Sequence, residues 1–209
     1  MKILIFGATG MLGNAMLRRL SEDKGLDVWA TIRGGTPPAI FGEKIGSKIL
    51  RGVDVLNPDD LASAFDTVRP DVVINCIGLV KQLSDADDPL KALPINSILP
   101  HRLARLCSVQ GARLIHVSTD CVFLGDRGLY REQDMSDAAD LYGRSKLLGE
   151  VDYPHAITLR TSIIGHELTS ANGLVGWFLS QEGSVRGFTK AIFSGVPTVE
   201  LADIIRDYV

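Results

Sequence analysis

Short apolar runs rich in β-branched residues alternate along this chain with longer stretches of helical period, and few folds accept that alternation. Runs at residues 3–6, 28–32, 72–75, 114–118 and 157–159, with a weaker one at 48–50, read as strands. Most are continuously apolar, as expected of strands covered on both faces. Between them, residues 11–20 place apolar side chains at 11, 12, 15, 16 and 20, and residues 61–68 and 98–109 are similarly amphipathic. Pro58 or Asp59 opens the second of these helices, and Gly111 sits just past the third. The rhythm predicts an α/β fold, a doubly wound parallel sheet wrapped by helices. The Gly34-Gly35-Thr36-Pro37-Pro38 patch reads as a loop after the second strand. After about residue 160 the rhythm weakens, leaving an apolar helix candidate at 174–179 and an amphipathic helix at 199–209. The expected division is therefore one sheet domain over residues 1–160 and a partial second portion over residues 161–209.

The first strand runs directly into Gly7-Ala8-Thr9-Gly10-Met11-Leu12-Gly13, which opens the first helix. Glycines at that spacing let the backbone turn tightly, approach a pyrophosphate and pack helix closely on strand. The free N–H groups and positive end of the helix then favour phosphate. This turn predicts dinucleotide binding, with Gly7, Thr9, Gly10, Met11, Leu12 and Gly13 as cofactor residues. The second strand ends Thr31-Ile32-Arg33. An acid there would bind a ribose 2′-hydroxyl, whereas Arg33 suits a 2′-phosphate, so NADP(H) is preferred and NAD(H) is the other candidate. Asp54 and Val55, after the next short strand, fit either an adenine contact or a plain turn.

Composition narrows the partners. With 22 Lys+Arg against 25 Asp+Glu, the net charge of −3 offers no electrostatic footprint for nucleic acid. No apolar stretch approaches the roughly 20 residues of a membrane span, so no membrane association is expected. Cys76, Cys107 and Cys121 are too few and too scattered for a zinc site, and the four histidines lack ligand spacing, so no metal is expected. Reduced thiols in a cytoplasmic protein are the simplest reading. A homodimer is compatible with the sequence but not specified by it. His116, inside an apolar run, is expected to be a satisfied buried histidine.

Tyr142-Gly143-Arg144-Ser145-Lys146 puts Tyr142 and Lys146 on one helix face, one turn apart. A neighbouring ammonium stabilises a phenolate and lowers the tyrosine pKa, which suits a general acid. Val117-Ser118-Thr119-Asp120-Cys121-Val122-Phe123 runs from a strand into a turn at the carboxyl edge of the sheet, where open α/β folds bind ligands. A hydroxyl there can hold a substrate carbonyl beside the phenol. Lys81, Gln82 and Ser84 could reach a sugar or its phosphates, although a solvated loop explains them better.

In their order and spacing, the glycine turn, the Ser118-Thr119-Asp120 segment and the Tyr142–Lys146 motif resemble the extended short-chain dehydrogenase/reductase superfamily, over essentially all 209 residues. The chain is most similar to its dTDP-4-dehydrorhamnose reductase-like branch. That resemblance implies a Rossmann fold and NAD(P)H-dependent reduction of a nucleotide-activated 4-keto-deoxysugar for surface polysaccharide synthesis. Thr119, Tyr142 and Lys146 take the catalytic roles, with Thr119 preferred to Ser118. It also implies that Cys76, Ile77 and Gly78 wall the nicotinamide ribose and that Asn96 lies near the active site, where it could alternatively cap the following helix. Cys121 follows Asp120 where related 4,6-dehydratases carry Glu, which favours reduction over elimination. A C4-epimerase and a non-catalytic cofactor-binding regulatory subunit are the alternatives. The resemblance further implies several tens of residues beyond Val209, so that a chain of 209 residues reads as truncated.

Overall fold

The computed structural model describes residues 1–81, 84–169 and 173–209, so Gln82 lies outside the described residues. Six parallel strands form the main sheet: β1 (Lys2–Phe6), β2 (Asp27–Thr31), β3 (Ile49–Leu50), β4 (Val72–Asn75), β5 (Arg113–Val117) and β6 (Ala156–Leu159). Their order is β3-β2-β1-β4-β5-β6. The chain winds outward from β1 in one direction and from β4 in the other, so the crevice between these two strands is the topological switch point. This is the expected doubly wound sheet, with strand ends within one or two residues of the predicted ones.

The pleat of β1 explains the two layers. Ile3 and Ile5 face one core with Leu12, Met16, Leu17 and Leu20 of α1 (Met11–Leu20). Leu4 and Phe6 face the other core, with Leu61 and Phe65 of α3 (Pro58–Val68) and Leu99 and Leu103 of α5 (Leu99–Gln110). Successive residues of a strand point to opposite faces, and here both faces are apolar because both are covered. Between β2 and β3 lies the short α2 (Gly42–Gly46), which the periodicity did not predict. Asn57 caps α3 by accepting from the N–H of Asp59, and Pro58 opens the helix as one of the two expected residues. Gly111 ends α5 in the left-handed conformation at φ 70°, as its position beyond the helix predicted.

One helix departs from expectation. The segment expected to begin at residue 98 is continuous upstream through a π-helical stretch, Leu93–Ile98, to α4 (Pro89–Ala92). Asp88 caps this whole run by accepting from Leu90 N–H.

Beyond β6, β7 (Ile163–Ile164) and β8 (Val196–Pro197) form a separate parallel pair. Between them is α7 (Leu174–Leu179), and α8 (Thr198–Tyr208) ends the helices. Leu201 and Ile205 of α8 pack on the α1 core, and Arg19 of α1 donates to Asp203 of α8 at 2.8 and 3.2 Å. Leu174, Phe178 and Leu179 on α7, with Phe188, Ile192 and Phe193 after it, are exposed. α6 (Leu141–Leu148) lies between β5 and β6 in the chain and carries the Tyr142–Lys146 motif.

The docking of α8 is a test of the packing. Leu201→Ala empties a site 4% exposed and should cost about 2–5 kcal/mol in denaturant-induced unfolding. A loss below about 1 kcal/mol would show that α8 contributes little to the fold.

Candidate active site

Two groups of residues meet at the carboxyl edge of the sheet, on either side of the switch point. The first is the glycine turn. Gly7 has φ 92°, and a Cβ there would lie 2.7 Å from Ile77 Cγ1, so both backbone conformation and space require glycine. A Cβ at Gly13 would overlap the carbonyl oxygen of Gly7, which is how closely α1 approaches the end of β1. Gly10 differs. A Cβ there would meet one oxygen at 3.5 Å, an ordinary contact, so packing among the described residues does not require this glycine. Gly10 is also the N-cap of α1 and has no side chain with which to cap it. An open face and a helix start lacking a side-chain cap fit the pyrophosphate of a dinucleotide. Asn14 braces the turn by donating to the carbonyls of Gly10 and Met11 at 3.0 and 2.9 Å.

The remaining predicted cofactor residues divide by exposure. Thr9 is exposed, Leu12 is in the core, and Met11 faces Gly165 and Gly173. Leu12 can therefore offer a ligand its backbone but not its side chain. Arg33 is exposed beyond β2, and hydrogen bonds from Val53 N to Ile32 O and from Gly52 N to Gly34 O draw the 52–55 segment beside it. Asp54 spends one carboxylate oxygen on the N–H of Leu56 at 3.0 Å, forming its own turn. Val55 packs against the second core.

The second group gathers around α6. Asp140 caps this helix by accepting from Gly143 N–H at 2.8 Å and pairs with Lys81 at 2.6 Å. Lys81 is thus ion-paired at the surface, its side chain 60% exposed. Lys146 is buried and donates to the carbonyl of Val117, at the end of β5, at 2.8 Å. Burial depresses its pKa to about 8, against the opposing pull of Glu150 and Cys76. Burial likewise pushes the Cys76 thiol up to about 12 and raises that of Cys121, so neither is an activated nucleophile.

Asn96 is buried within the π-helical stretch. It accepts from Leu79 N–H at 2.9 Å and donates to Leu79 O at 3.2 Å and Ser145 Oγ at 3.1 Å. It is therefore not the cap of α5; it ties the loop after β4 to the helix that carries Tyr142. Ser97 reinforces the tie by donating to Ser145 O at 2.7 Å. A Cβ on Gly78 would lie 3.5 Å from Asn96 Oδ1 and 3.6 Å from Lys146 Nζ, so these three converge.

Thr119 accepts from Cys121 N–H at 3.1 Å and donates to Asp120 at 3.2 Å, capping a turn at Asp120–Val122. Ser118, by contrast, commits its hydroxyl to Glu150 at 2.8 Å. Both hydroxyls are thus engaged, and that of Thr119 also interacts with the Tyr142 phenol. Tyr142 corrects an expectation. Its pKa is raised rather than lowered, because burial outweighs interaction with the Thr119 hydroxyl, while Cys121, Asp120 and Asp140 add to the rise. The Lys146 ammonium donates to the Val117 carbonyl at 2.8 Å rather than to the phenol.

His116 is a second correction. Asn75 Oδ1 accepts from Ile77 N–H, which leaves Asn75 Nδ2 to donate to His116 Nδ1 at 3.1 Å. The proton of a neutral His116 then sits on Nε2, a buried atom with no partner among the described residues. The histidine is only half satisfied, and burial, then Lys146 and His101, holds its pKa well below the ordinary value. Sequence reasoning also missed Asp140, Ser145, Glu150 and Arg160. The capping Asp140 was readable from its position before the helix; the others depend on contacts between distant segments.

The model of the RmlD substrate binding domain family matches residues 1–186. The chain belongs to this family. A probable low-salt glycan biosynthesis reductase, Agl14, of Haloferax volcanii is 31% identical over 182 residues, which are 85% of this chain and 58% of that protein. The dTDP-4-dehydrorhamnose reductase of Mycolicibacterium smegmatis is 32% identical over 167 residues, covering 77% of this chain and 45% of that one. The crystal structure of a hypothetical dTDP-4-dehydrorhamnose reductase from Sulfolobus tokodaii superposes with a TM-score of 0.82 at 27% identity, over 99% of this chain and 71% of that one. The chain thus spans about half the length of the curated relatives it matches. Among the described residues, no helix is long and apolar enough to cross a membrane.

Two predictions follow from the geometry. Gly13→Ala should cost about 3 kcal/mol in thermal unfolding. Gly10→Ala should cost less than about 1 kcal/mol yet weaken NADPH binding by at least about tenfold in a calorimetric titration. Equal effects of the two on stability would contradict the open face at Gly10. For Lys146, the unfolded chain binds its proton more tightly than the folded one, so stability from this group rises with pH between about 8 and 10.5. The stability of wild type minus that of Lys146→Met should therefore increase across that window; a flat difference in urea titrations would show that the ammonium is not depressed.

Proposed function

We propose that this chain is the cofactor-binding and catalytic part of an NADP(H)-preferring reductase acting on a nucleotide-activated 4-keto-deoxysugar. The observation that carries this reading is the convergence of the glycine turn with Gly78, Thr119, Tyr142 and Lys146 at one switch point. Residues 1–160 hold the cofactor and the acid–base groups, and residues 161–209 contribute to the substrate side. The family and its reductase relatives support the reading, as does exposed Arg33 beside the 52–55 segment, which suits a 2′-phosphate. The three free thiols fit a cytoplasmic setting.

Reduced nicotinamide, when bound, supplies the hydride. The chain's own groups manage the oxygen. The raised pKa of Tyr142 keeps the phenol protonated at neutral pH, so it holds a proton ready for the alkoxide that reduction creates. Lys146, mostly charged below its pKa of about 8, favours the phenolate left after transfer. Thr119, with its hydroxyl held at the turn, orients the carbonyl. Asn96 keeps the Leu79 loop and α6 in register through its three hydrogen bonds.

A panel of 4-keto sugar nucleotides, read by stoichiometric NADPH oxidation, tests the assignment. Tyr142→Phe should lower turnover by about 10²–10⁴-fold. Substrate conversion without NADPH consumption would mark an epimerase instead, and a Tyr142→Phe protein with near-normal turnover would remove the phenol from the mechanism.

A further inference from the structure

The turn that presents Thr119 is gripped from both sides by one ion pair. Glu150 lies just past the end of α6, where its backbone N–H donates to Leu147 O at 3.1 Å. Its carboxylate accepts from Ser118 Oγ at 2.8 Å, immediately before Thr119. The same carboxylate receives Arg160, which follows β6, through Nε at 2.9 and 3.1 Å and through a terminal nitrogen at 2.7 Å. Arg160 then lies over the ring of Phe123, 5.3 Å from its centroid, on the other side of the turn. The Glu150 side chain is 13% exposed and that of Arg160 26%, so water competes weakly for either. A bidentate pair of this kind fixes orientation as well as distance.

We propose that Glu150 and Arg160 are positioning residues that clamp the Thr119 turn between the carboxyl ends of β5 and β6 and the end of α6. The clamp holds Ser118 at one end and Phe123 at the other, so Thr119 keeps its place relative to Tyr142 on α6. This rests on the reductase reading for its catalytic consequence but not for its structural one.

The geometric consequence is measurable without turnover. Hydrogen exchange in Glu150→Ala should accelerate at the amides of Cys121 and Phe123, bonded to Thr119 Oγ1 and Asp120 O, by at least about tenfold while β1 and α1 keep their protection. Glu150→Gln, which retains an acceptor for Ser118 and Arg160, should restore most of that protection. On a verified 4-keto sugar nucleotide, Glu150→Ala should lose up to about 10²-fold in kcat with a smaller change in KM. Glu150→Gln should recover kcat but shift the alkaline limb of its pH profile downward. The groups facing Lys146 are Glu150 just past α6, Cys76 beyond β4 and His116 on β5, and this substitution removes the carboxylate among them.

Unchanged exchange at Cys121 and Phe123 in Glu150→Ala would overturn the clamp, as would protection lost evenly across the chain, which is what a merely stabilising pair predicts. If wild type oxidises NADPH with no 4-keto sugar nucleotide, the reductase reading fails while the exchange pattern still decides the clamp.

Discussion

The contact between the carbonyl of Gly7 and the backbone at Gly13 governs how near α1 comes to the end of β1, and the rest of the site is arranged around that distance. A helix one methyl group further away would carry its first turn out of the switch point. It would also displace α8, whose Leu201 and Ile205 pack on the same core as α1. Cys76 and Ile77 close the other side of the turn, so the loop after β4 and the loop after β1 are set by one packing arrangement.

Against this tight apolar frame, the edge of the sheet holds polar groups that the fold accommodates at a cost. Among the described residues, Lys146 is a buried ammonium with one carbonyl partner, and His116 keeps a buried N–H without any. Each is expensive where it stands. Lys146 is placed where a reaction can use its charge. His116 is adjacent in the sheet to Asn75, whose side chain shapes the turn leading to Cys76 and Gly78. These groups cluster at the same carboxyl edge, which is where functional sites tolerate what a core does not.

Features set by local periodicity were legible in the sequence. The strand runs, the helix at Met11–Leu20 and the helix at Leu174–Leu179 followed from the spacing of apolar residues and from glycine and proline. The glycine turn was legible because its chemistry is compact: seven consecutive residues carry it. The distribution of roles among Asn96, Ser145, Glu150 and Arg160 was not, since Asn96 meets Leu79 and Ser145 from segments 17 and 49 residues away. The direction of the Tyr142 shift was misjudged for a related reason. Sequence spacing puts an ammonium one helix turn away, but burial and the direction in which Lys146 points are tertiary facts, and burial prevails. The partners of the two neighbouring hydroxyls, Glu150 for Ser118 and Asp120 for Thr119, were not legible in the sequence either.

The π-helical stretch at Leu93–Ile98 couples this part of the molecule to chain length rather than to side-chain identity. Each residue of an α-helix advances the phase by about 100°, and a wider turn absorbs an extra residue without disturbing the regular helix beyond it. Asn96 faces Leu79 and Ser145 while Leu99 and Leu103 face the core. Removing a single residue within that stretch would let the run from Pro89 to Gln110 become uninterrupted α-helix, rotating one of these faces away from its partners. Insertion or deletion there is therefore a harsher genetic lesion than most substitutions, because it changes the angular register of two surfaces at once.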